Sequence, residues 1–283
     1  MCLSLKVIQI LEGSAMNELE RTLLNVVQHI VVSQPQLLPS IERIVFLARR
    51  RGEWNKILKE EVPIEERFTK IYKENMWNGN ESRSGFGSGL AYTENLRAKL
   101  PPLIAKYQVK SVFDAPCGDL HWMRYLLPTL TIDYVGGDIV KELIEENRKN
   151  FSNARTQFMH MNLLEDPFPA VDLMLCRDCL FHFSYQDIRK MLRNFVASKI
   201  PYLLTTTHVT GEKNKDIVTG AFRQINLFDY PFHFDANPLE RIDDWMKPGP
   251  ERQMCLWSRT EVERALLRLE TNMASGEDFN RGT

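Results

Sequence analysis

An alternation of short apolar runs with amphipathic segments, between residues 109 and 209, constrains the fold of this chain more than any other feature of its sequence. The apolar runs read VKSVFD, DYVGGD, ARTQFMHM, VDLMLC and PYLLTTTHV, and segments with apolar residues at helical spacing lie between them, among them IVKELIEENRKNF and YQDIRKMLRNFVA. Runs of the first kind are typical of buried strands, and segments of the second kind are typical of helices. Their alternation predicts the α/β class: a doubly wound, mostly parallel sheet with helices on both faces.

The chain before this alternation divides into two parts. Residues 1–62 carry apolar residues at spacings of three and four, with Pro35 and Pro39 between the two richest stretches, so they predict an N-terminal helical extension. Such an extension would cap the domain, self-associate or bind a partner. Residues 63–92 contain a stretch rich in Gly, Ser and Asn and are predicted to form a mobile lid over a ligand, with Trp77 as aromatic cover, or a plain linker.

The chain after Val209 is less regular. The stretch MCLWS is predicted as an edge strand and TEVERALLRLE as a closing helix, while residues 271–283 predict a disordered tail. The main domain is therefore expected to span residues 63–270.

The composition shows no strong electrostatic bias. The formal net charge is −1 and the sequence pI is about 6.6, so long nucleic acids are disfavoured partners and an anionic membrane gains no attraction. No apolar run reaches the roughly 18 residues of a membrane span. The five cysteines are odd in number and suggest no secreted disulfide framework. We therefore expect a cytoplasmic protein with reduced thiols.

Two carboxylates surround a sharp turn where the first predicted strand ends, in the stretch Asp114-Ala-Pro-Cys-Gly118-Asp119. A dinucleotide-binding turn would carry GxGxxG here and present a helix N-terminus to pyrophosphate, but only one of those glycines is present. Carboxylates repel phosphate and attract cations. Because Gly118 lets the backbone approach a ligand closely, the turn favours a ligand with an ammonium group over a nicotinamide dinucleotide.

The next two strands also end in residues suited to a nucleoside. Asp138 lies twenty residues after Gly118, which is the spacing at which an acid meets ribose hydroxyls in nucleoside-binding βαβ units. The third strand runs into Asn162 and Leu163, an amide for an adenine edge and an apolar side chain for its ring. Each residue alone is most simply a cap or turn residue, but their joint occurrence at three successive strand ends favours a ligand site.

With these residues in place, the sequence resembles the class I (Rossmann-like) S-adenosylmethionine-dependent methyltransferases. Asp114–Asp119 stand in place of the acidic and glycine-rich first motif of that family, with Pro116 and Leu120 where glycines are usual. The phrases WNGNESRSGFGS, DAPCGDLHWM, LCRDCLFHFS and YLLTTTHV look like one bacterial-type subfamily, and the likeness covers about residues 75–258. The resemblance implies a Rossmann-like fold, S-adenosyl-L-methionine as cofactor, and methyl transfer to an O or N of a small-molecule, sugar or protein acceptor.

The residues and the resemblance together assign individual roles. The cofactor-binding set is Trp77, Asp114, Pro116, Gly118, Asp119, Asp138, Ile139, Asn162, Leu163 and Cys176. In the family the end of the fourth strand faces the transferring methyl group, so Asp178 and His182 are the candidates to take a proton from the acceptor. A histidine that only packs or caps the following helix is the simpler alternative. The absence of an Asn/Asp-Pro-Pro-Tyr/Phe signature argues against methylation of adenine amino groups.

Residues beyond the fifth strand are predicted to form the acceptor side of the cleft. His208 ends that strand, and Arg223 either clamps a carboxylate or phosphate of the substrate or holds the irregular segment by a salt bridge.

A CxxC pattern, Cys176 to Cys179, lies at the end of the fourth strand, and Cys117 is expected on a neighbouring strand. Zinc needs four ligands in a closed site and no second CxxC occurs, so we expect no metal. Small buried thiols that line a pocket are the preferred interpretation over a redox pair.

Two other functions stay open from the sequence. One is a protein that binds S-adenosylmethionine without turnover and engages a partner through its N-terminal helices. The other is a different nucleotide-binding α/β enzyme, such as a dehydrogenase, which the acidic first turn disfavours.

Overall fold

The computed structural model describes residues 51–247 and 249–275 of the chain. The chain divides into two compact units, Met1–Lys59 and Glu60–Thr283. Of the first unit the structure describes residues 51–59, which form a helix. Residues 1–50 of the predicted N-terminal extension lie outside the described residues, and residues 60–62, its predicted end, form neither helix nor strand.

The second unit contains a seven-stranded sheet and six α-helices among its described residues. In chain order these are α1 (Ile64–Lys73), α2 (Glu94–Lys106), β1 (Ser111–Asp114), α3 (Met123–Leu126), β2 (Asp133–Asp138), α4 (Lys141–Phe151), β3 (Thr156–His160), β4 (Leu173–Cys176), α5 (Tyr185–Ser198), β5 (Tyr202–His208), β6 (Glu240–Asp243), β7 (Arg252–Ser258) and α6 (Arg259–Ser275).

The strands are ordered β3-β2-β1-β4-β5-β7-β6. Strands β1 to β5 pair in parallel, and β7 runs antiparallel to both of its neighbours. The order reverses between β1 and β4, because the chain moves outward through β2 and β3 before it returns to the other side of β1. Ligands bind at such a switch point, beyond the carboxyl ends of the strands. The predicted doubly wound, mostly parallel α/β sheet is confirmed.

The central strands are buried on both faces. All four residues of β4, with the sequence LMLC, are buried, and Phe113 in β1 has no exposed surface. Strands covered on both faces read as continuous apolar runs and not as alternating ones, which is the pattern of the sequence here. Helix α5 is capped by Ser184, whose side chain accepts a hydrogen bond from the backbone N–H of Asp187, and it buries one apolar face.

The predicted lid or linker over residues 63–92 is wrong for its first third. Ile64–Lys73 form α1, which buries Phe68, Ile71 and Tyr72. Acidic residues in its first turn and basic residues in its last turn suit the helix dipole. The rest of the segment contains turns and one short 3-10 helix.

Two predictions for the end of the chain are also wrong. The stretch MCLWS belongs to β7, which lies inside the sheet between β5 and β6, so β6 is the edge strand. Residues 271–275, predicted as the start of a disordered tail, continue α6, and residues 276–283 lie outside the described residues.

None of the helices in the described part of the chain has the length and apolar character needed to cross a membrane.

Candidate functional site

The turn after β1 places a buried carboxyl at the switch point. Asp114 is 3% exposed, and the hydroxyl of Tyr134 donates to its Oδ2 at 2.7 Å. Burial raises the pKa of Asp114 to about 7, which the hydrogen bond from Tyr134 only partly offsets. Gly118 has a φ of 55°, and a Cβ there would lie 2.3 Å from Ser84 Oγ, so this turn needs glycine.

The carboxylate of Asp138, at the end of β2, joins the first turn to the second. Its Oδ2 accepts from the N–H of Gly118 at 3.1 Å, and its Oδ1 accepts from the N–H of Val140 at 3.0 Å. Burial raises its pKa, and these backbone hydrogen bonds oppose the shift. Asp138 therefore fixes the path of both turns as well as presenting a carboxylate to the site.

The third strand end contributes an amide. Oδ1 of Asn162 accepts from the N–H of Leu164 at 3.0 Å, which holds the side chain in a turn, while its amide nitrogen makes no hydrogen bond to the described chain. Ile139 and Leu163 supply apolar surface at the second and third strand ends.

Asp178, after β4, is held in a network of four charged side chains. Its Oδ2 lies 3.0 Å from Nη2 of Arg252 and 3.3 Å from Nη1 of Arg177. Arg177 also donates to the buried carboxylate of Asp244 at 2.8 Å. Although burial raises the pKa of Asp178, the two guanidinium groups outweigh it and hold that pKa below its ordinary value. The backbone of Asp178 has a φ of 54°, a conformation unfavourable for a side chain with a Cβ.

His182 is a neutral imidazole with a defined tautomer. Its Nδ1 lies 2.8 Å from the carbonyl oxygen of Ala221, so Nδ1 carries the hydrogen and donates it. Burial lowers the pKa of His182 to about 4, and the hydrogen bond to Ala221 reduces that shift. Nε2 has no hydrogen-bond partner among the described residues, so its lone pair is available to a ligand.

Asp119 anchors a loop. Its carboxylate accepts hydrogen bonds from the hydroxyls of Ser82 and Ser84, at 2.8 and 3.2 Å, and from the backbone N–H of Arg83 at 3.0 Å. The carbonyl of Gly87, further along the same loop, accepts from Nη2 of Arg177 at 2.7 Å. We call residues 82–88 the anchored loop.

A cavity of about 260 Å³ brings the strand ends, α1 and the anchored loop together. Predicted site residues that line it are Trp77, Asp114, Pro116, Gly118, Asp138, Ile139, Asn162, Leu163, Asp178 and His182. Four other predicted residues, Asp119, Cys176, His208 and Arg223, are not part of its lining.

The predicted acceptor-side residues are engaged elsewhere. Nδ1 of His208 accepts from the N–H of Ile225 at 3.2 Å, and burial lowers the pKa of this histidine to about 4. Arg223 donates to the carbonyl of Phe183 at 2.6 Å and lies over the ring of Tyr185, and burial lowers its pKa to about 10.

The cysteines near the cavity are buried free thiols. Cys117 and Cys179 line the cavity, whereas Cys176 lies within β4. A hydrogen bond with Cys176, together with burial, raises the pKa of Cys179 well above its ordinary value.

Sequence reasoning missed several residues that line the cavity. Phe68 and Tyr72 reach it from α1, and Arg177 and Arg252 reach it from the ends of β4 and β7. The helical spacing of apolar residues in α1 was a signal that could have been used. No signal in the sequence pairs Arg252 with Asp178, because 74 residues separate them.

Residues 112–198 match a family model described as a methyltransferase domain. The match runs from β1 through α5 and so includes Asp114, Asp138 and His182. A comparison with curated proteins finds no match.

Several of the solved structures that match this chain are methyltransferases of low sequence identity. A SAM-dependent methyltransferase from Leishmania major is 14% identical with a TM-score of 0.54, over 73% of this chain and 90% of that chain. PigF, in a structure with SAH, is 13% identical with a TM-score of 0.52, over 78% of this chain and 72% of that chain. The mitomycin 7-O-methyltransferase MmcR is 14% identical, with a TM-score of 0.47. The match covers 60% of this chain and about half (53%) of the length of MmcR.

Proposed function

We propose that this Rossmann-like methyltransferase domain, whose cofactor is S-adenosylmethionine, transfers the cofactor's methyl group to an oxygen or nitrogen of an acceptor bound in the same cavity. The observation that carries the proposal is the meeting of Asp114, Asp138 and His182 in one cavity at the switch point of the sheet. Asp114 and Asp138 end β1 and β2, and His182 lies in the segment that follows β4. Sheets of this kind bind ligands beyond the carboxyl ends of their strands.

The polar groups of the cavity fit this cofactor. Asp114 and Asp138 form no ion pair with any described residue, so their carboxylates suit an ammonium group and the ribose hydroxyls, respectively. The amide nitrogen of Asn162 and the indole Nε1 of Trp77 have no partner among the described residues; Nε1 is buried, which makes an unpaired donor costly. A nucleoside with acceptor atoms would satisfy both donors.

When bound, S-adenosylmethionine supplies an electrophilic methyl group on a positively charged sulfur. The task of the protein is to orient the acceptor and to receive its proton. Support for His182 as the receiving group comes from its free Nε2 lone pair and its position on the cavity wall. A hydroxyl becomes strongly acidic as its oxygen is methylated, so even an imidazole with a pKa of about 4 can accept the proton.

Asp178 suits a different task. Its Oδ2 is already paired with two guanidinium groups, so this oxygen is less available to a ligand than the unpartnered Nε2 of His182. We assign it to positioning: it holds Arg252 and the end of β4 in place.

Calorimetric titration with S-adenosylhomocysteine tests the cofactor part of the proposal. We expect micromolar binding to the parent and at least a tenfold loss in Asp114→Ala, since the ammonium group loses its carboxylate. Asp133→Ala is the matched control, because Asp133 is an exposed aspartate that pairs with Arg155 at the other end of β2. A folded parent that does not bind would overturn the assignment, and binding without turnover on any acceptor would favour the non-catalytic alternative.

Four points stay predictions from the sequence: the atom that is methylated, a sugar or protein as acceptor, cytoplasmic location, and association through the N-terminal segment. Transfer of labelled methyl from S-adenosylmethionine to fractionated small molecules and proteins would separate the acceptor classes.

A further inference from the structure

The cavity has two halves with different chemistry. The half at the ends of β1 and β2 carries the carboxyl groups of Asp114 and Asp138. A second group of lining side chains is aromatic and is joined by ring contacts, with His182, after β4, at its centre. These side chains are Phe68, Trp77, Phe181, His182, Phe183 and Phe222. We call this second part the aromatic half.

The rings of the aromatic half lie around His182. The centroid of its imidazole is 4.6 Å from that of Phe181, 5.8 Å from that of Trp77 and 6.0 Å from that of Phe222. Aromatic rings attract one another at such distances in tilted and edge-to-face arrangements. A flat ring that enters this space finds aromatic partners, whereas a saturated ring gains only apolar contact.

The charged groups that border the aromatic half cancel. Asp178 and Asp244 carry two negative charges, and Arg177 and Arg252 carry two positive ones, all within one network of ion pairs. A charged acceptor would therefore lose its hydration without gaining an unpaired counter-ion from this network. Arg223, a further cation whose charge acts on His182, is not part of the cavity lining. A cation would in addition be repelled by the sulfonium of the cofactor.

Two polar groups of the aromatic half lack a partner among the described residues: the indole Nε1 of Trp77, which the proposed function assigns to the nucleoside, and Nε2 of His182. Because Nδ1 of His182 donates to Ala221, Nε2 can only accept. A hydroxyl on the ligand supplies the matching donor. Phe222, which is 54% exposed, and Phe86, which is 63% exposed, also line the cavity and present apolar surface to solvent.

We propose that the acceptor is a neutral, planar aromatic molecule whose hydroxyl donates to Nε2 of His182 and whose ring packs among Trp77, Phe181 and Phe222. The inference rests on the proposed methyltransferase function and narrows it to one substrate class.

Binding of four probes to the full chain tests this substrate class. The probes are 2-naphthol, its methyl ether, its fully saturated analogue decahydro-2-naphthol, and the anion 2-naphthoate. Affinities are measured by calorimetry on protein saturated with S-adenosylhomocysteine. We expect 2-naphthol to bind at least tenfold more tightly than each of the others. Equal or tighter binding of the saturated alcohol or of the carboxylate would overturn the proposal, as would no binding of 2-naphthol.

Two variants locate the site. Phe222→Ala should weaken the binding of 2-naphthol at least tenfold and leave the affinity for S-adenosylhomocysteine unchanged. Tyr125→Ala, which removes an exposed aromatic ring outside the cavity lining, should change neither affinity. His182→Phe keeps a ring but removes the lone pair, so the preference for 2-naphthol over its methyl ether should disappear. An unchanged preference in that variant contradicts the inference.

The two proposals fail in different ways. If S-adenosylhomocysteine does not bind the folded parent, the methyltransferase function is wrong, and the probes can still be titrated without it. If it binds but the aromatic alcohol shows no preference, the function stands and the acceptor class is wrong.

Discussion

Under the proposed function, the ionisation of Asp114 should directly affect cofactor binding. Its carboxyl is buried, it is hydrogen-bonded to one neutral hydroxyl, and its pKa is raised to about 7. A carboxyl with a raised pKa is protonated below that value, and the neutral form loses its attraction for an ammonium group.

We therefore expect the affinity for S-adenosylhomocysteine to rise between pH 6 and pH 8, by up to about tenfold per pH unit below 7. Asp114→Asn should bind more weakly and show little dependence on pH over this range. Calorimetry at several pH values is the measurement. A parent whose affinity is constant from pH 6 to pH 8 would contradict the role given to Asp114.

Gly87 shows how a missing side chain can be essential. A Cβ at this position would lie 2.7 Å from Oδ2 of Asp178 and 2.8 Å from Nη2 of Arg252, inside their ion pair. The anchored loop can approach the charge network only because residue 87 has no Cβ.

Gly87→Ala should lower the free energy of unfolding by about 1–3 kcal/mol, since the alanine forces the loop or the ion pair to move. Gly211→Ala is the control, because a Cβ there meets nothing within 4 Å and should not destabilise. Urea titration of the parent and both variants measures these free energies of unfolding. A Gly87→Ala variant as stable as the parent would show that the loop moves aside without cost.

At the scale of elements, the anchored loop depends on one carboxylate from the turn after β1. The hydroxyls of Ser82 and Ser84 and the N–H of Arg83 converge on Asp119. This arrangement explains why Asp119 is not part of the cavity lining: its oxygens hold protein groups.

Asp119→Ala should release the loop. We expect faster amide hydrogen exchange over residues 82–88, and weaker binding of S-adenosylhomocysteine because Ser84 and Gly85 line the cavity. Exchange in β2, measured in the same sample, serves as the internal reference. Unchanged exchange in the loop would mean that other contacts, such as the Gly87 carbonyl to Arg177, suffice to hold it.

Elements with a local signal were predictable. The stretch DYVGGD coincides with β2, and the helix predicted from IVKELIEENRKNF differs from α4 by two residues at its start. Strand β6, with the sequence ERID, was missed because a short polar strand is stabilised by pairing with β7 and not by its own pattern. The same reason applies to the site. The carboxyl group of Asp119 is visible in the sequence, but its hydrogen bond from the hydroxyl of Ser82, 37 residues earlier in the chain, is not.

At the scale of the whole molecule, the buried histidines and the buried carboxyl of Asp114 act on stability in opposite directions as pH changes. Burial lowers the pKa of His182 and of His208 to about 4, and it raises that of Asp114 to about 7. As pH falls, each histidine is protonated in the unfolded chain before it is protonated in the folded one. The stability of the folded state is therefore highest, as far as each histidine is concerned, above about pH 6.5, and it decreases as pH falls toward 4. For Asp114 the folded chain takes up the proton first, which favours folding as pH falls from 7.

Comparison of the parent with His208→Gln isolates one of these contributions. Relative to the variant, the parent should lose about 2 kcal/mol of unfolding free energy between pH 7 and pH 5, because only the parent must keep this imidazole neutral on folding. Urea titrations at both pH values provide the difference. A difference that does not change with pH would mean that His208 does not have the lowered pKa.

The four-charge network has a consequence for the way in which substrates arrive. Two aspartates and two arginines neutralise each other next to the aromatic half of the cavity, and the whole chain carries a formal net charge of −1. Because its charges cancel, the network exerts little long-range pull on a solute, so ordinary diffusion governs encounter and added salt changes the rate of encounter little. Discrimination between acceptors then occurs after contact, in how long each one stays.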